Sequence, residues 1–288
     1  MDATQIYEKV QERYGSAAKS DSLEYGRKVA TAFGYSEDEL AAIPENANLG
    51  LSCGNPIALA KVSEGETVID LGSGAGFDVF LAAKKVGASG KVIGVDMNKD
   101  MLERANRNKE NAKADNVLFL ESSITDIALP SATADCIISN CVVNLVPEQE
   151  KQLVFNEMFR LLKPGGRVAV SDILAKSELP HELKTNMALY VGCIAGASLV
   201  SDYEKYLANA GFSDTKNDLN VYTTAKEDQK SSQCCGENSD SSCDQEPNLC
   251  CSTQEPTATD GTGSLEPELG HGDFNKWAGS FKVYAVKP

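Results

Sequence analysis

The run TVIDLGSGAGFDVFLAAKKVG, Thr67 to Gly87, constrains this fold more than any other stretch. A short apolar segment ends in an acid, passes through a glycine-rich turn, and continues as an apolar helical pattern stopped by Gly87. Strand, tight turn and helix in that order are the first half of a strand–helix–strand unit. The same rhythm then repeats. KVIGVDM, NVLFLESS, DCIISNCVV and RVAVSDI read as strands. KDMLERANRNKENAKA and EQEKQLVFNEMFRLLKPGG read as helices, the second closed by Pro164-Gly165-Gly166. Alternating strands and helices predict a parallel sheet covered on both faces.

The flanks differ in character. Residues 1–62 read as a helical N-terminal cap, with Ser36 and Glu39 spaced as a capping box and LSCGNP as a tight loop. Residues 63–225 with 274–288 are expected to form the main α/β domain. Two helices are expected over 180–211, DTKNDLNVYTTA suits a sixth strand, and FKVYAVKP a last one with Phe281, Val283 and Ala285 on one face. Residues 226–273 carry 2 Lys against 11 acids, are rich in Ser, Thr and Gly, and hold few apolar side chains. Such a segment cannot bury enough surface to order itself, and reads as a flexible insert in the last hairpin.

Charge and hydropathy exclude several classes. A net charge of −15 argues against nucleic acid or an anionic membrane as partner. No apolar run is long enough to span a bilayer, and the N-terminus has no apolar signal region, so a cytoplasmic protein is expected. Thiols there stay reduced, and the nine cysteines call for another explanation than a disulfide framework.

DLGSGAG places Asp70, Gly72, Ser73, Gly74 and Gly76 at the strand-to-helix turn. Glycines let the backbone approach a ligand. Asp96 follows at the end of the second strand, 26 residues later, where a carboxylate can hold both ribose hydroxyls. A pyrophosphate would be repelled by Asp70, whereas the cationic end of S-adenosylmethionine suits it. With LKPGG before the fifth strand, this set resembles the class I methyltransferases. The resemblance implies a seven-stranded, mostly parallel Rossmann-like sheet and S-adenosylmethionine as cofactor. It also implies that Asp70 to Gly76 line the methionine side, that Met97 packs on adenine, that Ser123 and Ile124 meet its edge, and that the Asn140 backbone contacts the methionine moiety.

The acceptor is constrained by what the chain lacks. The two histidines, His181 and His271, read as surface residues, so no base for an oxygen nucleophile stands out. Three thiols, by contrast, fall where a cleft above the strand ends is expected: Cys53 in LSCGNP, Cys141 just past the fourth strand, and Cys193 in VGCIAGAS. They are 88 and 52 residues apart, so only folding could bring them together. Each alone is equally at home as core filler, as Cys136 inside the fourth strand is expected to be. Three thiolates meeting at one point would make a soft site suited to trivalent arsenic, which keeps one lone pair.

LSCGNP, SNCVVNLVP and GCIAGA resemble the three cysteine motifs of the arsenite methyltransferases, over roughly residues 5–215, and ELPHELKTN fits the same family. The resemblance implies that Cys141 and Cys193 hold As(III). Cys53 would then be either a third ligand or the reductant. The arsenic would arrive as a thiol conjugate, with thioredoxin or glutathione restoring the reduced state. Tyr14-Gly15 matches a family pair expected to cover the cofactor. Relatives carry a further cysteine upstream of the CGNP loop. Residues 1–52 here contain none, so three thiols suffice or a C-terminal cysteine substitutes. Cys234, Cys235, Cys243, Cys250 and Cys251 in the acidic insert suit soft-ion capture, as an antenna delivering As(III) or as incidental binding. Two other functions share parts of the pattern: methyl transfer to carbon or oxygen of a quinone- or sterol-type acceptor, and metalloid sequestration without catalysis.

Overall fold

The computed structural model describes residues 2–20, 23–212, 219–223 and 276–288. The expected acidic insert with its five cysteines, and His271, lie outside the described residues.

Seven strands form one sheet: β1 (Thr67–Leu71), β2 (Lys91–Asp96), β3 (Val117–Glu121), β4 (Ala134–Asn140), β5 (Leu162–Ala175), β6 (Leu219–Thr223) and β7 (Ala278–Val286). Their order is β3-β2-β1-β4-β5-β7-β6. The first five are mutually parallel, and β7 runs antiparallel to both β5 and β6. The strand order reverses between β1 and β4, which opens a crevice above their C-terminal ends. Asp70 and Asn140 both sit at that crevice.

Alternation along the strands feeds two apolar layers. Ile69, Ile93, Ile137 and Val168 face one side with α7 (Lys151–Leu161) and α10 (Val200–Ala210). Val68, Val92, Cys136 and Ala169 face the other, against α4 (Pro56–Ala60) and α5 (Phe77–Val86). Cys136 is therefore core, as its place within a strand implies. On β7, Phe281, Val283 and Ala285 are buried and their neighbours are not.

Before the sheet come α1 (Ala3–Ala18), α2 (Leu23–Ala32) and α3 (Glu37–Ala41), the last started by the Ser36–Glu39 capping box. The sheet's far end is crossed by α6 (Lys99–Ala112). The buried Arg104 guanidinium on α6 donates to the carbonyls of Ala18, Ser20 and Asn46, and Asn98 donates to that of Gln11. Gly15 lies so close to α6 that a Cβ there would sit 2.9 Å from Asp100 Oδ2. These contacts hold α1 as a roof over the crevice.

Two local expectations change. KPGG does not end in a free turn: β5 begins at Leu162 and runs through it, with a register shift between Ala134 and Cys136 that absorbs the Pro-Gly-Gly. The segment expected to hold two helices holds three, because Asn186 caps a separate short helix, α9 (Met187–Val191), after α8 (His181–Lys184). The extra break matters, since α9 ends one residue before Gly192-Cys193.

Candidate functional site

Asp70, Gly72, Ser73, Gly74, Asp96, Met97, Ser123, Ile124 and Asn140 all line one pocket at the crevice. Gly76 does not line it. That glycine has φ 95° and starts α5, and a Cβ there would press on Phe80 and Phe119. Gly72, at φ 70°, cannot carry a Cβ either, because Val142 occupies the space. The turn is thus glycine-rich for packing as much as for ligand approach.

Asp70 is buried and its carboxylate makes no hydrogen bond with a described residue. Burial, then Asp78 and Asp96, pushes its pKa well above the usual carboxylate range. A buried acid with no donor is costly unless a cation joins it. Ser73 Oγ is likewise buried without a partner. Asp96, by contrast, is fixed: its two oxygens accept from Gly74 N–H and Asn98 N–H, each at 2.8 Å. Ser123 pairs with Thr125 Oγ1 at 2.7 Å beside the pocket.

Asn140 does more than offer its backbone. Its side-chain oxygen accepts from Cys53 N–H at 3.0 Å, and its amide donates to Asp78 Oδ2, Tyr35 Oη and the Gly54 carbonyl. Tyr35 also donates to Asp78 Oδ1 at 2.7 Å. Burial raises the Asp78 carboxyl, and the Asn140 and Tyr35 hydrogen bonds draw it partly back. This network ties the Cys53 loop to the crevice.

The sulfurs of Cys53, Cys141 and Cys193 all lie within 4.8 Å of one another. Cys141 also lines the pocket. Their state differs from three free thiols: Cys53 and Cys141 form a disulfide, with Cα atoms 5.5 Å apart, and Cys193 is free. The expectation of reduced thiols throughout is corrected here, and the reason is geometric. Loops brought that close satisfy the requirements of an S–S bond. Cys141 has φ 60° and Cys193 φ 65°. A side chain there costs about 1 kcal/mol or more, which surrounding contacts must offset. Cys193 is buried, and desolvation with nearby Asp172 pushes its thiol up to about 12, with the Tyr14 hydroxyl acting in the opposite sense. Tyr14 Oη lies 3.9 Å from Cys193 Sγ and also lines the cofactor pocket, so one α1 side chain touches both halves of the site.

Asp172, on β5, is buried, and burial raises its carboxyl to about 6 despite hydrogen bonds from Tyr203, Ile173 N–H and Asn144. A carboxyl whose folded pKa is raised favours its protonated form in the native state. Its unfavourable contribution therefore grows as pH rises from about 4 to about 6. Thermal melts of wild type and Asp172→Asn across pH 4–7 should diverge over that window. The wild type should lose on the order of 3 kcal/mol relative to the variant. Parallel curves would contradict the raised carboxyl.

A family profile described as a methyltransferase domain matches residues 62–211. The chain belongs to the methyltransferase domain family. The chain is 48% identical, over 62% of its own length and 45% of the other's, to an arsenite methyltransferase of Halobacterium salinarum. It is 33% identical to the arsenite methyltransferase of Mus musculus, over 73% of its own length and 59% of the other's. The structure of an arsenic (III) S-adenosylmethionine methyltransferase from Chlamydomonas reinhardtii superposes with a TM-score of 0.57 at 25% identity, covering 92% of this chain and 73% of that one. The methyltransferase spans about half the length of the curated relatives it matches. Its pocket fits S-adenosylmethionine: the unpartnered Asp70 carboxylate suits a cation, and Asp96 at the β2 end suits vicinal hydroxyls.

Three features of the methyltransferase's site escaped the sequence reading. Tyr7, Val10 and Gln11 of α1 line the pocket, but a polar N-terminal helix carries no sign of where it docks. Asp78, in the first turn of α5, carries nothing in the sequence to set it apart from an acid placed for the helix start. Asn144, behind Cys141 and Cys193, had no signal beyond standing in a cysteine motif.

Proposed function

We propose that this methyltransferase transfers a methyl group from S-adenosylmethionine to trivalent arsenic held by Cys53, Cys141 and Cys193. The observation that carries this reading is the convergence of three sulfurs within 4.8 Å of one another, one of them, that of Cys141, on a residue that lines the cofactor pocket. The bound cofactor supplies an electrophilic methyl on a cationic sulfur. Asp70 balances positive charge, Asp96 holds the ribose, and the backbone at Gly72–Gly74 lets the ligand approach. Met97, Ser123 and Ile124 flank the adenine, and the α1 roof excludes water.

On the substrate side, three Cys S–H groups exchange for three As–S bonds. Each released proton leaves with the hydroxide or thiolate displaced from arsenic, as water or as a free thiol. Three As–S bonds leave arsenic one lone pair, which needs no general base. That agrees with a site whose acids serve the cofactor or are held in buried hydrogen bonds, and whose one described histidine, His181, starts α8 away from the pocket lining. A carbon or oxygen acceptor would have no use for the trio.

The Cys53–Cys141 disulfide must first accept two electrons and two protons. Thioredoxin or glutathione would serve, and a reducing cytoplasm is the compartment in which the site works. Among the described residues no helix is long and apolar enough to cross a membrane. Incubating the protein with S-adenosylmethionine and arsenite, then separating the arsenic species, tests the reading. Methylated arsenic is expected with a dithiol present and less than about a hundredth of that yield without it. No methylated arsenic under reducing conditions would refute the proposal.

A further inference from the structure

A buried polar cluster outside the cofactor wall lies behind the two buried cysteines, at Asn144. This residue stands three positions after Cys141 and is fully buried. Its amide nitrogen faces three acceptors: Asp172 Oδ1 at 2.9 Å, the Ile173 carbonyl at 2.5 Å and the Cys193 carbonyl at 3.3 Å. Carbonyls cannot donate, and the Asp172 carboxyl already accepts from Tyr203 and Ile173 N–H, so the amide orientation is fixed. Its own oxygen has no partner among the described residues. The side chain is thus held in place for what it donates, at the expense of a lone acceptor.

The backbone repeats the link. A Cβ on Gly196 would collide with the Asn144 carbonyl, so the Cys193 loop rests directly on the Asn144 turn. Cys193 Sγ in turn donates to the Cys141 carbonyl at 3.1 Å. The Lys151 ammonium, buried, pins the same loop by donating to the Gly196 carbonyl and Ser198 Oγ. Both cysteines sit in the left-handed region that side chains avoid. Left unsupported, either turn would relax and carry its sulfur away.

We propose that Asn144 is a positioning residue: it holds the Cys193 turn against the Cys141 turn and so preorganises the dithiol half of the metalloid site. The inference rests on trivalent arsenic as substrate. An arsenic atom bridging two sulfurs demands a fixed span, and a clamp that sets the span before binding spares the ordering cost at binding. Asp172 holds Asn144 from behind, and Tyr203 holds Asp172 at 2.7 Å. Asn144 does not line the cofactor pocket. Its loss should therefore separate the two affinities.

The test uses the full chain, reduced, with Cys234, Cys235, Cys243, Cys250 and Cys251 replaced by Ser in every sample so that the insert takes up none of the probe. The probe is phenylarsine oxide, because an aryl arsenic(III) takes only two thiols. Asn144→Ser is expected to raise the probe Kd at least tenfold while the S-adenosylmethionine Kd stays within twofold of wild type. A general loss of structure would move both. Gly196→Ala, which forces the loops apart by another route, is expected to show the same split, and it decides the matter if Asn144→Ser fails to bind cofactor. Wild-type probe binding with unchanged affinity in a cofactor-binding variant overturns the positioning role alone. Failure of this reduced parent chain, with Asn144 and Gly196 intact, to bind one probe per chain overturns the arsenic reading, and this inference with it.

Discussion

Replacing Cys193 with serine is expected to abolish arsenic methylation and leave S-adenosylmethionine binding intact. Cys193 is the buried free thiol of the trio, and its sulfur points at the Cys141 carbonyl rather than into the apolar core. Serine is close in size, so packing is kept and a cavity penalty is avoided. What is lost is the soft donor, and with it the fixed arsenic position relative to the methyl group. Misplacing a reacting atom by about 1 Å costs roughly 10²-fold, and losing a ligand should cost more. Turnover with arsenite should fall at least ~10²-fold. Equal cofactor affinity, measured by calorimetry, would show that the fold survives. Retained turnover would remove Cys193 from the reaction.

Asp70→Asn should act in opposite directions on binding and stability. The ligand-free protein buries this carboxylate with no hydrogen-bond donor, beside two further acids. Neutralising it relieves desolvation and repulsion, so the midpoint of thermal unfolding without ligand should hold or rise. A cation bound beside it would lose its counter-charge. Removing one partner of a buried charge pair costs about 2–5 kcal/mol, so the cofactor Kd should rise on the order of 10²-fold. Because burial raises the Asp70 pKa, the stability difference should shrink as pH falls and the wild-type acid protonates. A variant destabilised without ligand, yet binding cofactor normally, would mean that Asp70 is a structural acid.

The parts of this molecule legible in its sequence were those written in local pattern. Period-two alternation marked β7, with Phe281, Val283 and Ala285 inward. The acid–glycine run marked the β1–α5 turn, because few other residues tolerate φ near 70° at Gly72 with Val142 packed where a Cβ would go. Less legible was anything set by long-range docking. Nothing in the pattern of QIYEKVQERYG says that Tyr7 reaches a pocket made by residues 70–146, and Tyr14 stands out only through the family resemblance. The convergence of Cys53, Cys141 and Cys193 came from a resemblance, since separations of 88 and 52 residues carry no geometric information. The disulfide was illegible for the same reason: the two loops that come within S–S reach, at Cys53 and Cys141, lie 88 residues apart in the sequence. Asn140 lines the crevice, and its side chain tethers the Cys53 loop, a contact across 87 residues that no local pattern announces.

Arsenic K-edge absorption spectroscopy on the reduced chain with one equivalent of arsenite, the five insert cysteines replaced by Ser in every sample, tests the central claim most directly, because it counts the atoms bonded to arsenic. Three sulfur neighbours are expected in the wild type, and two sulfurs with one oxygen in Cys53→Ser. An arsenic shell of oxygen alone, or a wild-type spectrum unchanged by replacing Cys141 or Cys193, would contradict a three-sulfur site.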